Sequence, residues 1–224
     1  MPRESYQESL SELRADVLAM GELVLERLEV AVSGIGATEA PQSFALAAGD
    51  EEINDRYLDL ERRCIDLIAL QQPVAGDLRT VVASFKILTD IERVGDLAVN
   101  LVQYTRSVRQ SSGIDLDLRD IGRDARALFE RSLDAYAAAD AAACREIADR
   151  DDEIDAVCQR ASETVTRGLI ENETKTDPWA VERILDDVSR ILLTIRDVER
   201  IADHAVNIAA RTLYMIENDP ELIY

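Results

Sequence analysis

This chain has little of what makes turns, sheets or cross-links: its 224 residues include 9 Gly, 5 Pro, 3 Cys and 4% aromatics. So few Gly and Pro residues leave only a handful of chain reversals, and so few aromatics argue against a β-sheet, which points to long helices joined by short turns. Cys64, Cys144 and Cys158 are odd in number and form no C-x-x-C pair. That excludes a disulfide framework or a zinc knuckle and suits small core residues. No segment runs uncharged for the length a bilayer demands, and the start, MPRESYQESLSELRADVL, holds no apolar signal core. The expectation is a soluble, cytoplasmic protein that is not membrane-embedded. Positive charge is scarce too: 25 basic residues stand against 45 acidic ones, for a net charge of −20. A nucleic-acid partner is therefore excluded, while cationic partners and metal ions fit. Lys86 and Lys175 are the only lysines, a composition that also suits a salt-adapted source. G-x-S-x-G, Walker A, H-E-x-x-H and E-x-x-H patterns are all missing, the last of which disfavours a ferritin-like di-iron site.

What is present is helical periodicity. Ser5 and Glu8 have capping-box spacing, and Leu10, Leu13, Val17, Met20, Val24 and Leu28 then form an apolar stripe that Gly34 and Gly36 end. Pro41 is expected to open a second helix, closed before Pro73 in QQPVAGDLR (71–79). The third runs on to the QSSG break at 110–113. A fourth helix is predicted from Leu116 to Ala138, a fifth capped by Asp140 and reaching Ile170, and a sixth opened by Pro178 after the loop ENETKTD. The predicted fold is all-α, six helices as two tandem three-helix bundles, residues 1–112 and 113–224.

Two phrases support the duplication. DIERVGDLAVN at 90–100 returns as DVERIADHAVN at 197–207, 107 positions later, and DEEIN at 50–54 returns as DDEID at 151–155, 101 positions later. If helices two and three reverse at Pro73, Asn54 lies 19 residues before the turn and Glu92 19 after it, and Asp50 and Asp96 lie 23 to either side. Equal helical rise sets these four side by side. With the second turn at Pro178, Asp155 (23 before) faces Glu199 (21 after), and Asp151 and Asp203 follow. Each helix contributes its pair at i, i+4, on nearly one face, and Asn100 and Asn207 extend the lines by a turn. Like charges so placed repel. A divalent or trivalent cation reverses the sign of that energy, and an oxygen-only set suits iron, zinc, manganese or magnesium. Val81, Phe85 and Leu88 form a row that turns acidic at Glu92, and Val188, Leu192 and Ile195 one that turns acidic at Glu199. A glutamate on a packing row needs a compensating charge, either a metal or the adjacent Arg93 and Arg200.

The bland alternative is a solvated acidic face held by Arg partners. His204, the only histidine, stands where the first copy has Leu97, and a lone histidine is more often satisfied than a ligand. Asp77 and Arg79 read as helix-start and hairpin-locking residues, and Trp179 as core or interface.

IERVGD at 91–96, VERIAD at 198–203, QQPVAGDLR and DHAVNIA at 203–209 make the chain resemble the PhoU family over nearly its whole length. The resemblance implies tandem three-helix bundles and a non-enzymatic regulator of phosphate uptake and phosphate signalling. It implies partners as well: the ATPase subunit of a phosphate ABC transporter and a membrane sensor kinase. The family's metal-holding E(D)-x-x-x-D motifs fall on Glu92 with Asp96 and on Glu199 with Asp203. Ala202 stands where members commonly have Gly, and Asn54 where an acid is usual, so the first site is expected to bind more weakly or hold fewer ions. Two other readings use the same residues: a metal-dependent phosphohydrolase, and a metal-free helical scaffold. Exposed faces such as Ala137 to Ala143 are expected to pair chains into a homodimer.

Overall fold

A computed structural model describes residues 3–36, 51–71, 73–105, 117–172 and 178–223. They form six helices: α1 Arg3–Gly34, α2 Glu51–Gln71, α3 Ala75–Thr105, α4 Leu118–Ala138, α5 Ala141–Asn172 and α6 Pro178–Glu217. No strand occurs among the described residues. Helices α1, α2 and α3 pack together, as do α4, α5 and α6, and the sets join where α3 lies on α6 and α1 on α4. The buried residues form one continuous cluster through both sets, from Leu13 and Met20 to Ile201 and Ile208. The expected boundary at 112 and 113, the opening at Pro41 and the QSSG break lie outside the described residues.

Local chemistry explains the ends. Pro178 does open α6, and Asp140 caps α5, its Oδ1 accepting the backbone N–H of Ala142 and Ala143 at 3.0 Å. Asp117 caps α4, accepting from the backbone N of Asp120, and the helix starts at Leu118, two residues later than the predicted Leu116. One expectation fails: the chain is already helical at Arg3, so Ser5 lies inside α1, where its carbonyl accepts from Ser9 Oγ at 3.0 Å. Capping-box spacing recurs inside helices because i, i+3 neighbours share a face whether or not a helix begins there. The Ala137–Ala143 face is exposed or half-covered.

The halves are tied by polar locks as well as oil. Buried Tyr136 of α4 shares a 2.7 Å hydrogen bond with Ser84 of α3, and Arg14 of α1 lies 5.3 Å from its ring centre while donating to its carbonyl at 2.8 Å. Arg119 of α4 donates to the Ile35 carbonyl at 2.8 and 3.0 Å, satisfying the end of α1. Asp77, in the first turn of α3 as expected, accepts from Gln7 of α1 at 3.2 Å, a bond that ties α3 to α1 where the expectation was a lock within the α2–α3 hairpin. No helix among the described residues is long and apolar enough to cross a membrane.

Candidate metal centre

Helix α5 buries Ile147, Ile154, Cys158, Ala161 and Val165. Asp151 follows Ile147 by four and precedes Ile154 by three, so the packing stripe itself draws the carboxylate into partial burial. Asp155 follows one turn later. Helix α6 supplies Glu199 and Asp203, and Glu199 is half-buried at the end of the row Val188, Leu192, Ile195.

Asp151, Asp155 and Asp203 come together: each offers a carboxylate oxygen, and the three oxygens lie within 4.8 Å of one another. Asp151 Oδ1 and Asp155 Oδ1 are buried and have no hydrogen-bond partner. Burial, then the charges of Asp155, Asp203, Asp152 and Glu199, push the Asp151 carboxyl up to about 7. Burial and the charges of Asp203 and Asp152 raise Asp155, and burial with Asp155 and Asp203 raises Glu199. The site therefore asks for positive charge, a proton at the least. Cys158, beneath it, has its thiol pushed up to about 12, first by burial and then by the same four acids, so it stays protonated and is no anionic ligand.

Fit to a cation follows from the donor set. Hard carboxylate oxygens from two helices, two of them buried without a partner, match a divalent or trivalent ion that takes oxygen ligands. Glu199 feels the charges of Asp155 and Asp203 but is not among the three acids whose oxygens converge. Asn207 is exposed, one turn beyond Asp203.

The first half is built differently. Asp50 lies outside the described residues. Asn54 is half-buried, and Glu92, only 17% exposed, meets Arg93 at 3.5 Å, while Asp96 meets the same guanidinium at 3.4 Å. Arg200, the equivalent of Arg93, is exposed and makes no ion pair among the described residues. Asn100 points to the other half of the molecule: its Nδ2 donates to Asp197 Oδ2 at 3.3 Å. His204 Nδ1 lies 2.9 Å from Asp90 Oδ1, which spends the lone histidine on the α3–α6 interface.

Sequence reasoning missed Asp90 and Asp197, the residues that open the two copies of the repeated phrase. Asp197 is fully buried and receives Asn100, the Tyr104 hydroxyl at 3.2 Å and the Arg196 guanidinium at 2.9 Å. Burial, then the Asp197 charge, raises the Tyr104 hydroxyl, which stays a donor. The signal was available: Asp197 falls between Thr194 and Ile201 on a buried row.

The PhoU domain model matches the chain twice, over residues 17–105 and 118–212. A protein named phosphate-specific transport system accessory protein PhoU homolog, from Pseudomonas putida, is 30% identical over 217 residues, 95% of this chain and 81% of its own. The crystal structure of PhoU from Pseudomonas aeruginosa aligns with a TM-score of 0.81 at 27% identity, covering 96% of this chain and all of the other. A regulatory protein PhoU structure from Streptococcus pneumoniae, at 24% identity, shares the fold with a TM-score of 0.84 over 96% of this chain and 98% of its own.

Proposed function

We propose a function from one premise: the chain belongs to the PhoU family. It acts as a non-enzymatic accessory of phosphate transport, a metal-bearing helical adaptor that docks on the ATPase subunit of a phosphate ABC transporter and restrains import when phosphate is plentiful. A membrane sensor kinase reads the same adaptor in phosphate-responsive signalling, and the working unit is a homodimer in the cytoplasm. Support comes from relatives named as phosphate-specific transport system accessory proteins.

The observation that carries the metal part is the pair of partnerless, buried oxygens on Asp151 and Asp155, beside Asp203. Asp151, Asp155, Glu199 and Asp203 would hold iron, zinc, manganese or magnesium, and Asp50, Asn54, Glu92 and Asp96 a weaker site. The bound ion supplies positive charge that fastens α5 to α6 and stabilises the folded state by mass action. Proteinaceous groups do the rest: Asp197 and Asp90 hold α6 against α3, so the acidic face stays rigid for docking.

The test is phosphate uptake in cells lacking their own PhoU-type protein, complemented with this chain, together with capture of the purified ATPase subunit. Wild type should lower uptake and bind the subunit, and Asp151→Ala/Asp203→Ala should do neither. Phosphate release from phosphoesters by the purified chain with manganese, lost in the same variant, would replace this reading by a hydrolase.

A further inference from the structure

The α2–α3 hairpin ends in apolar side chains that face solvent. Ile65, Ile68, Leu70, Val74, Leu78 and Val82 are all exposed, Leu70 and Val74 to 74% and 69%. Val74, Leu78 and Val82 succeed one another at i, i+4 and i+8, and Lys86 continues the row. Counted from Pro73, Ile68 and Leu78 lie five residues to either side, which sets them level across the hairpin.

The second half is an internal control. At the equivalent positions of α5 and α6 it keeps Leu169 for Ile68 and Leu185, 47% exposed, for Leu78, but carries Gln159 for Leu58, Thr166 for Ile65 and Ser189 for Val82, all exposed. The same bundle is thus built with polar residues at those three positions, and packing does not account for Leu58, Ile65 or Val82. A cluster of large apolar side chains that the fold does not need marks an interaction surface.

Charge narrows the partner. From Leu67 to Thr89 the chain has one acid, Asp77, against Arg79 and Lys86, whereas the equivalent stretch, 168–196, has six acids, Glu171, Glu173, Asp177, Glu182, Asp186 and Asp187, against four bases. Asp77 is engaged by Gln7. Lys86 is exposed and makes no ion pair among the described residues. Helix α2 carries Glu61 and Asp66 instead, so an acidic ligand edge is favoured only on the α3 side. A second copy seated on this patch would, across a twofold, set like cations against like. An anionic bilayer would repel the same net charge.

We infer that this hairpin tip docks an amphipathic helix of a protein partner, its apolar face over Ile65, Val82 and their neighbours and its acidic edge against Lys86 and Arg79. The surface is separate from the carboxylate sites: Glu92 lies 19 residues beyond Pro73, about 28 Å of helix at the usual rise. The inference does not rest on metal.

The test uses the full chain and two fluorescent helical peptides of roughly 18 residues, five turns, with one leucine face flanked by Glu in one peptide and by Lys in the other. Anisotropy at physiological salt should show the Glu peptide binding about tenfold tighter. Ile65→Thr/Val82→Ser, which borrows the residues of the second half, should weaken both peptides about tenfold with an unchanged melting temperature, and Lys86→Glu should reverse the preference. Equal affinity for the two peptides, or binding indifferent to the double variant, overturns the proposal. So does a concentration-dependent dimer, or binding to phosphatidylcholine–phosphatidylglycerol vesicles, that the double variant abolishes, since either assigns the patch to another occupant.

Discussion

Two copies of nearly the same eleven residues end in different electrostatic states. In the first, Arg93 turns back on Glu92 and Asp96, and the facing helix offers neutral Asn54. In the second, Arg200 leaves the acids alone, the facing helix offers Asp155, and two buried oxygens are left without partners. One side chain on a neighbouring helix and the direction of one arginine therefore decide whether a carboxylate pair is answered from within the chain or from outside it. The backbone permits both. A Cβ added at Gly95 of the first copy would lie 3.0 Å from Ile53, whereas in the second copy Ala202 fills that place, fully buried.

The largest contrast is expected between the opening aspartates. Asp197→Ala strands the Asn100 amide and the Tyr104 hydroxyl inside the α3–α6 interface, and should cost about 3 kcal/mol of unfolding free energy. Asp90→Ala releases only His204 and should cost about 1 kcal/mol. Equal losses in denaturant titrations would erase that distinction. Of the same order is chelation, which should lower the melting temperature of wild type and Asp96→Ala by the several degrees that about 3 kcal/mol of ligand binding represents. Asp203→Ala should not respond.

A smaller effect separates the sites by pH. The metal-free Asp151 carboxyl titrates at about 7 in the folded chain, above its ordinary value of 3.8. A carboxyl raised on folding contributes its full share below the unfolded value. That share is lost as pH rises from about 4 through about 7, while metal affinity increases because the ligands must deprotonate. Asp151→Asn should therefore stabilise the metal-free chain at pH 8 by about 1 kcal/mol, after solvent screening, and leave it unchanged at pH 4. The smallest change is Arg93→Gln, whose exposed ion pairs are worth less than about 1 kcal/mol. It should raise metal uptake by the first half, and no gain would mean that Arg93 is not what answers those acids.

Helix boundaries at Pro178, Asp140 and Pro73 were legible because proline and short polar side chains act locally, on backbone geometry and orphan N–H groups. The register of α5 against α6 was legible to within a helical turn, since near-equal counts from a turn, 23 and 21, fix near-equal heights on antiparallel helices. Rotamers were not: nothing in the repeated phrase says that Arg93 folds back and Arg200 does not. Asp197 and Asp90 escaped notice because their partners lie 93 to 114 positions away, across an interface that the periodicity of single helices does not specify.

The central claim is that the second half is the principal metal centre, because its acids lack an internal cation. Elemental analysis of protein purified without a histidine tag tests it directly, with wild type, Asp96→Ala and Asp203→Ala side by side. The account predicts that Asp203→Ala loses most of the metal per chain and that Asp96→Ala keeps most of it. Unchanged metal content in Asp203→Ala would contradict it.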